Sequence, residues 1–198
     1  MPRIDAPTVA EHRANVQRKL VDAADEILRS GRPELLTAQA VTTSAGIARN
    51  SIYRYVDSVD DLRGLVLERY LPNWLDSVES ALAGIEDPLE LLEAWLAANL
   101  RASTVSGHGW LMSLGRSDQS AVTQAVMERA HGLMHRIPGQ ALQTLLPDPA
   151  QIPAAAGLIR GLLETGFRMI ERGIDLDQVI LVTQASARGM INELSAAN

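Results

Sequence analysis

Residues 49 to 55 read Arg49-Asn50-Ser51-Ile52-Tyr53-Arg54-Tyr55. Six of these seven carry groups that grip or read nucleic acid, so this is the place to look for chemistry first. An arginine pairs with guanine edges or with phosphate, an asparagine pairs with adenine, and serine and tyrosine hydroxyls bind phosphate oxygens. Such a set works only if a rigid element presents it to a groove.

The flanking sequence supplies that element. A short helix is expected at about 37–44, a break at Gly46, and a second short helix at about 48–55. Ala40, Val41, Ala45, Ile47 and Ile52 can form a small core that holds the two helices crossed. Gly46 allows a turn without a Cβ clash, as helix-turn-helix units often require. Ahead of it, Leu20, Ala23, Ala24, Ile27 and Leu28 mark one face of a helix over about 9–30, with Gly31 as its stop. The plain alternative is a helix-turn-helix that only packs. A Tyr-x-Tyr after Arg-Asn-Ser on an outward face is hard to explain that way.

With Thr37, Val41, Ala45-Gly46-Ile47, Tyr53, Ser58, Asp60 and Leu62, this segment resembles the TetR family of bacterial regulators. The Ala23-Ala24 pair, Gly31 and the chain length fit as well, and the motif spans residues 13–70. The resemblance implies that Arg49, Asn50, Ser51 and Arg54 contact bases, that Thr37, Tyr53 and Tyr55 contact phosphates, and that Gln39 reaches a base or the backbone. It also implies a homodimer on a double-stranded, palindromic DNA operator. Three positions depart from the family pattern. Ala48 stands where Ser or Thr often caps the recognition helix, Val59 where a phosphate-binding Lys is common, and Val56 where an aromatic is usual. Losing one phosphate contact lowers affinity and flattens the salt dependence by about one unit. Arg3 or Arg13 can compensate through the minor groove.

The rest of the chain shows helix signals and no strand signals. Ser58-Val59-Asp60-Asp61 opens a long helix with acids in its first turn, where the helix dipole favours them. Pro72 is expected to kink or interrupt it. Asp87-Pro88-Leu89-Glu90 starts another. A short helix at 110–114 and one from about Ser117 follow, the latter disturbed at Pro138-Gly139. Two more are expected at about 152–172 and from 176 to about Leu194. The expected fold is all-α with about nine helices. Residues 1–58 would form a three-helix DNA-binding domain, and 59–198 a helical ligand-binding and dimerisation domain.

Trp74, Trp95, Trp110, Met112, Met127, His131 and Met134 are candidates for the lining of an adaptable, apolar effector pocket. Each taken singly is as readily core filling. His131 and His135, four apart, have a spacing that can hold a transition metal, but Glu128 is the one nearby acid, and solvated histidines are the expectation. The last two helices are apolar over more than one stripe and carry Gly157, Gly161, Gly166, Ala185, Ala187 and Gly189, which permit close backbone approach. They are the expected dimer interface. An effector, probed most simply as an apolar or amphipathic small molecule, would shift the helix that follows the recognition unit and spoil the fit to DNA.

Composition narrows the field further. The chain has 198 residues, no cysteine and a net charge of −6. Disulfides, thiolate zinc and iron–sulfur sites are thereby excluded. Residues 1–58 hold eight Arg/Lys against seven Asp/Glu, and residues 59–198 hold ten against seventeen. A near-neutral head on an acidic body lets the head approach phosphates. No nucleophile elbow, P-loop, dinucleotide fingerprint or His-Glu-x-x-His motif occurs, so neither enzyme activity nor a cofactor is expected. No signal peptide or membrane-spanning run is visible, and the chain reads as cytoplasmic. The expected function is a transcriptional repressor released by a ligand. The alternative is a helical adaptor or enzyme that does not bind DNA.

Overall fold

The structure is a computed structural model that describes residues 9–107, 110–111 and 120–196. Met112, His108, Arg3 and the expected helix start near Ser117 lie outside the described residues, as does the side chain of His131. Among the described residues the protein is all-α, with seven long helices, three short 3-10 helices and no strand. In chain order the helices are α1 (Val9–Arg29), α2 (Ala38–Ala45), α3 (Asp61–Leu82), α4 (Pro88–Ser106), α5 (Ala121–Leu145), α6 (Ile152–Glu171) and α7 (Leu176–Ala196). The 3-10 helices are Pro33–Leu35, Arg49–Arg54 and Pro149–Gln151. No helix among the described residues is long and apolar enough to cross a membrane.

The chain divides into two compact units. The first comprises residues 1–69 and 114–126, the second 70–113 and 127–198. In the first unit α1 packs on α2, and α2 on the 3-10 helix that follows it. Val16, Leu20, Ala24 and Leu28 of α1, Val41 and Ala45 of α2, Ile52, and Leu62 and Val66 of α3 are all buried. Thr37 caps α2, its Oγ1 accepting from the Ala40 N–H at 3.2 Å. Gly46 ends it in the left-handed region at φ 70°, and the Ile47 N–H returns to the Thr42 carbonyl at 3.0 Å. That reversal needs a residue without a Cβ penalty.

In the second unit α4, α6 and α7 pack on one another. Leu92, Trp95, Leu96 and Leu100 of α4 meet a core completed by Ala155, Ile159, Leu163 and Phe167 of α6 and by Val179, Ile180, Ala187 and Ile191 of α7. Asp87 starts α4, its Oδ1 accepting from the N–H groups of Leu89 at 2.9 Å and Glu90 at 2.8 Å, with Pro88 at the first position. The Glu93 carboxylate, 10% exposed, is held by the Arg188 guanidinium at 2.5 Å, which joins α4 to α7. That hydrogen bond raises the Arg188 pKa above its ordinary value.

Neither internal proline interrupts its helix. The helix containing Pro72 is continuous from Asp61 to Leu82, and the helix containing Pro138 from Ala121 to Leu145. Proline costs a helix one hydrogen bond and crowds one carbonyl. Around Pro138 the helix is pinned on both sides by buried residues, Val126 and Ala130 before it, Ala141 and Leu142 after it.

Candidate nucleic-acid interface

The segment expected as a helix at about 48–55 is a 3-10 helix over Arg49–Arg54. The Ser51 N–H reaches the Ala48 carbonyl at 2.8 Å, and the Tyr55 N–H reaches that of Ile52 at 2.9 Å. With three residues per turn, side chains three apart stack in rows. Ile52 is fully buried and seats the element. Asn50 and Tyr53 form one flanking row, Ser51 and Arg54 the other. Arg49, Asn50, Tyr53 and Arg54 are exposed, and Ser51 and Tyr55 are half-buried. Tyr53 is 58% exposed and offers its ring and hydroxyl to solvent. Ala48 is extended and makes no side-chain cap, in keeping with its methyl side chain.

Thr37 and Gln39 are exposed at the start of α2. The Thr37 oxygen is occupied as an acceptor by the cap, which leaves its hydroxyl proton free to be donated. Val59 is half-buried at the approach to α3. There Ser58 and Asp61 cap each other. The Ser58 Oγ accepts from the Asp61 N–H at 3.2 Å, and Asp61 Oδ2 accepts from the N–H groups of Asp57 at 3.0 Å and Ser58 at 2.9 Å. Asp61 is thereby spent on fixing the join between the Arg49–Arg54 helix and α3.

The arginines of this unit fall into two groups. Arg29 pairs with Asp25 at 3.1 Å, Arg69 with Asp22 at 2.7 Å, and Arg63 with Asp60 at 3.3 Å. Arg13, Arg49 and Arg54 have no carboxylate partner among the described residues. Arg49 and Arg54 thus face solvent without a carboxylate, while Arg29, Arg63 and Arg69 are paired within the unit.

Sequence reasoning missed Arg63. It is 8% exposed, and its Nη2 donates to the Pro33 carbonyl at 3.2 Å, tying the segment ahead of α2 to the first turn of α3. Nothing in the local pattern marks its burial, because the Pro33 carbonyl that it meets lies thirty residues away. Arg13, expected to reach a groove from the N-terminal arm, instead sits within α1 with its guanidinium carbon 5.6 Å from the centre of the Tyr55 ring.

The candidate pocket residues separate by environment. Trp74 and Trp95 are buried. The Trp74 indole N–H donates to Asn99 Oδ1 at 3.0 Å, Asn99 Nδ2 donates to the Trp95 carbonyl at 2.8 Å, and Trp74 meets Phe167 edge-on at 6.0 Å. Trp110 is half-buried and edge-on to Tyr70 at 5.5 Å. Met127 and Met134 are half-buried, seven apart on α5.

No family model matches the sequence, and no curated protein does. Solved structures do. A TetR-like transcriptional regulator from Rhodococcus sp. RHA1 superposes with a TM-score of 0.63 at 18% identity, over 96% of this chain and 98% of that one. A TetR-family regulator from Streptomyces coelicolor gives 0.69 at 16% identity, over 93% and 84%. The TetR-like regulator LfrR from Mycobacterium smegmatis, solved with proflavine, gives 0.55 at 14% identity, over 88% and 95%. The fold is that of the TetR-type regulators. The helix-turn-helix of that fold corresponds here to α2, the Gly46 turn and the Arg49–Arg54 helix.

Proposed function

We propose that this chain is a sequence-specific DNA-binding transcriptional regulator, working as a homodimeric repressor that a small molecule releases from a palindromic operator. The observation that carries the reading is the exposed, carboxylate-free pair Arg49 and Arg54 beside Tyr53, on an element seated by the fully buried Ile52. Arg49, Asn50, Ser51 and Arg54 read base edges; Thr37, Gln39, Tyr53 and Tyr55 hold the backbone. Residues 1–58 act as the DNA-binding domain and 59–198 as the sensing and dimerising domain.

The dimer forms through α6 and α7. Leu158 is 60% exposed, Leu181 66% and Val182 54%, an apolar surface that a monomer would leave in water. Gly157 and Gly161 of α6 and Gly189 of α7 have nothing within 4 Å of a built Cβ, so a partner helix can approach closely there. Twofold pairing sets two recognition elements about 34 Å apart, one turn of DNA.

The effector is an apolar or amphipathic small molecule bound among Trp74, Trp95, Trp110, Met112, Met127, His131 and Met134. The relative LfrR was solved with proflavine, a flat aromatic cation, which sets the first class to try. Binding shifts α3, whose first turn is locked to the recognition element through Ser58 and Asp61. The test is a duplex selected from a randomised pool, titrated with a panel of flat aromatic and amphipathic compounds. Release by at least one compound that also raises the melting temperature supports the sensor. Tight operator binding indifferent to the whole panel, with no thermal shift, would remove the effector from the proposal and leave the DNA reading standing.

A further inference from the structure

We infer that Arg13 and Tyr55 together form a clamp for a DNA backbone phosphate at the edge of the recognition element, an inference that rests on the DNA-binding reading above. Arg13 lies in the second turn of α1, exposed to solvent. Its guanidinium carbon is 5.6 Å from the Tyr55 ring centre, within the range of a cation–π contact. Positions three and four away on α1 are Val9, Ala10, Val16 and Gln17, so its own helix offers it no carboxylate. No ion pair holds it among the described residues.

A cation–π contact at this distance engages the guanidinium without consuming its N–H donors. The ring holds the group beside Tyr55 and leaves its donors to a phosphate, which a guanidinium can bind at two points. Tyr55 is itself held: its backbone N–H closes the end of the 3-10 helix on Ile52, and its side chain is half-buried. The Tyr55 hydroxyl adds a further donor.

The surroundings show why a cation is needed there. The join after Tyr55 carries Asp57, Asp60 and Asp61, while position 59 is valine. The one nearby arginine in that stretch, Arg63, is buried and engaged with Asp60 and the Pro33 carbonyl. Between residues 56 and 62 a passing phosphate strand would meet three aspartates and no cation. Arg13 brings positive charge to it from a different helix. This is a backbone contact and not groove reading, so it adds affinity without sequence preference.

The experiment measures binding of the full chain to its selected duplex and to an unrelated duplex across a range of salt. Arg13→Ala is expected to weaken both complexes by the same factor, about tenfold, and to lower the slope of log affinity against log salt by about one unit. Arg13→Lys keeps the slope but recovers only part of the affinity, because a lysine cannot present a planar fork. Tyr55→Leu removes the platform and weakens both complexes while the charge remains. Lys19→Ala removes one positive charge elsewhere on α1 and leaves the slope within half a unit. An unchanged slope in Arg13→Ala would make the stack purely structural and overturn the clamp. A changed base preference would overturn it in favour of minor-groove reading. If the wild-type chain binds neither duplex at low salt, the DNA-binding reading itself fails and the clamp falls with it.

Discussion

Replacing Gly64 by alanine should destabilise the protein, although the same change in most helix interiors stabilises. Gly64 lies in α3, and a Cβ built there stands 2.8 Å from the backbone nitrogen and from Oγ1 of Thr123, and 2.9 Å from Cγ1 of Val122. Ordinary contact begins near 3.4 Å, so the new methyl is short of room by 0.6 Å against backbone. The obstructing atoms cannot swing away. Thr123 is 1% exposed, and its N–H is bonded to Ser120 Oγ at 3.2 Å in the first turn of α5. Relief requires that turn to move off α3, and overpacking of this kind costs about 1–3 kcal/mol. Removing a glycine from a helix returns about 1 kcal/mol. A backbone obstruction falls in the upper part of the cost range, which leaves a net loss of about 1–2 kcal/mol. For a chain of this length that lowers the melting temperature by about 2–8 °C. Gly132→Ala is the internal control, since its Cβ meets nothing within 4 Å. It should gain about 0.5–1 kcal/mol. Thermal and urea denaturation of both variants decide the matter. A Gly64→Ala protein stabilised as much as Gly132→Ala would show that α3 and α5 do not approach this closely, and would refute the reasoning.

Three further outcomes follow from the packing of the second unit. Asn99→Ala strands the buried Trp74 indole N–H, and the urea midpoint should fall by an amount equivalent to about 2–3 kcal/mol; an unchanged midpoint would mean the bond is not made. Arg188→Ala leaves the Glu93 carboxylate buried without its partner, so Glu93→Gln added to it should recover part of the lost melting temperature, whereas additive losses would refute the pairing. Since the Arg188 pKa is raised, its contribution is complete below its ordinary value and is lost only at strongly alkaline pH, and stability should not change through neutrality on its account. Leu181→Glu places a charge on the exposed apolar face of α7 and should convert a dimer to monomer in light scattering; an unaltered mass would place the interface elsewhere.

Much of this architecture is legible locally. Asp87-Pro88 announces a helix start because a short acid can cap and a proline fits the first turn, and Gly46 announces a reversal because few other residues adopt its backbone angles. Apolar spacing marks the buried faces of α1, α4 and α6. What stays hidden is decided by partners distant in sequence. Pro72 and Pro138 read as kinks or breaks, yet both helices run on through them. Gly64 reads as an ordinary helix glycine until the first turn of α5 is laid against it. Arg13 reads as a minor-groove contact, and only the fold shows it 5.6 Å from the centre of the Tyr55 ring; Arg63, buried against Pro33, carries no local signal. The outward residues of 49–55 are legible as a group because their chemistry is concentrated, but the 3-10 winding that arranges them in rows is not. Aromatic residues on helical stripes do not declare whether they line a pocket or fill a core. Trp74 is a case in point, with its polar handle already taken by Asn99.

The most direct test of the central claim is selection of bound duplexes from a randomised pool with the full-length protein, followed by sequencing. A sequence-specific dimeric regulator enriches an inverted repeat with half-sites about one helical turn apart, and Arg49→Ala, folded but lacking its base contact, loses preference at one position in each half-site. A pool that stays random at low salt would contradict the claim.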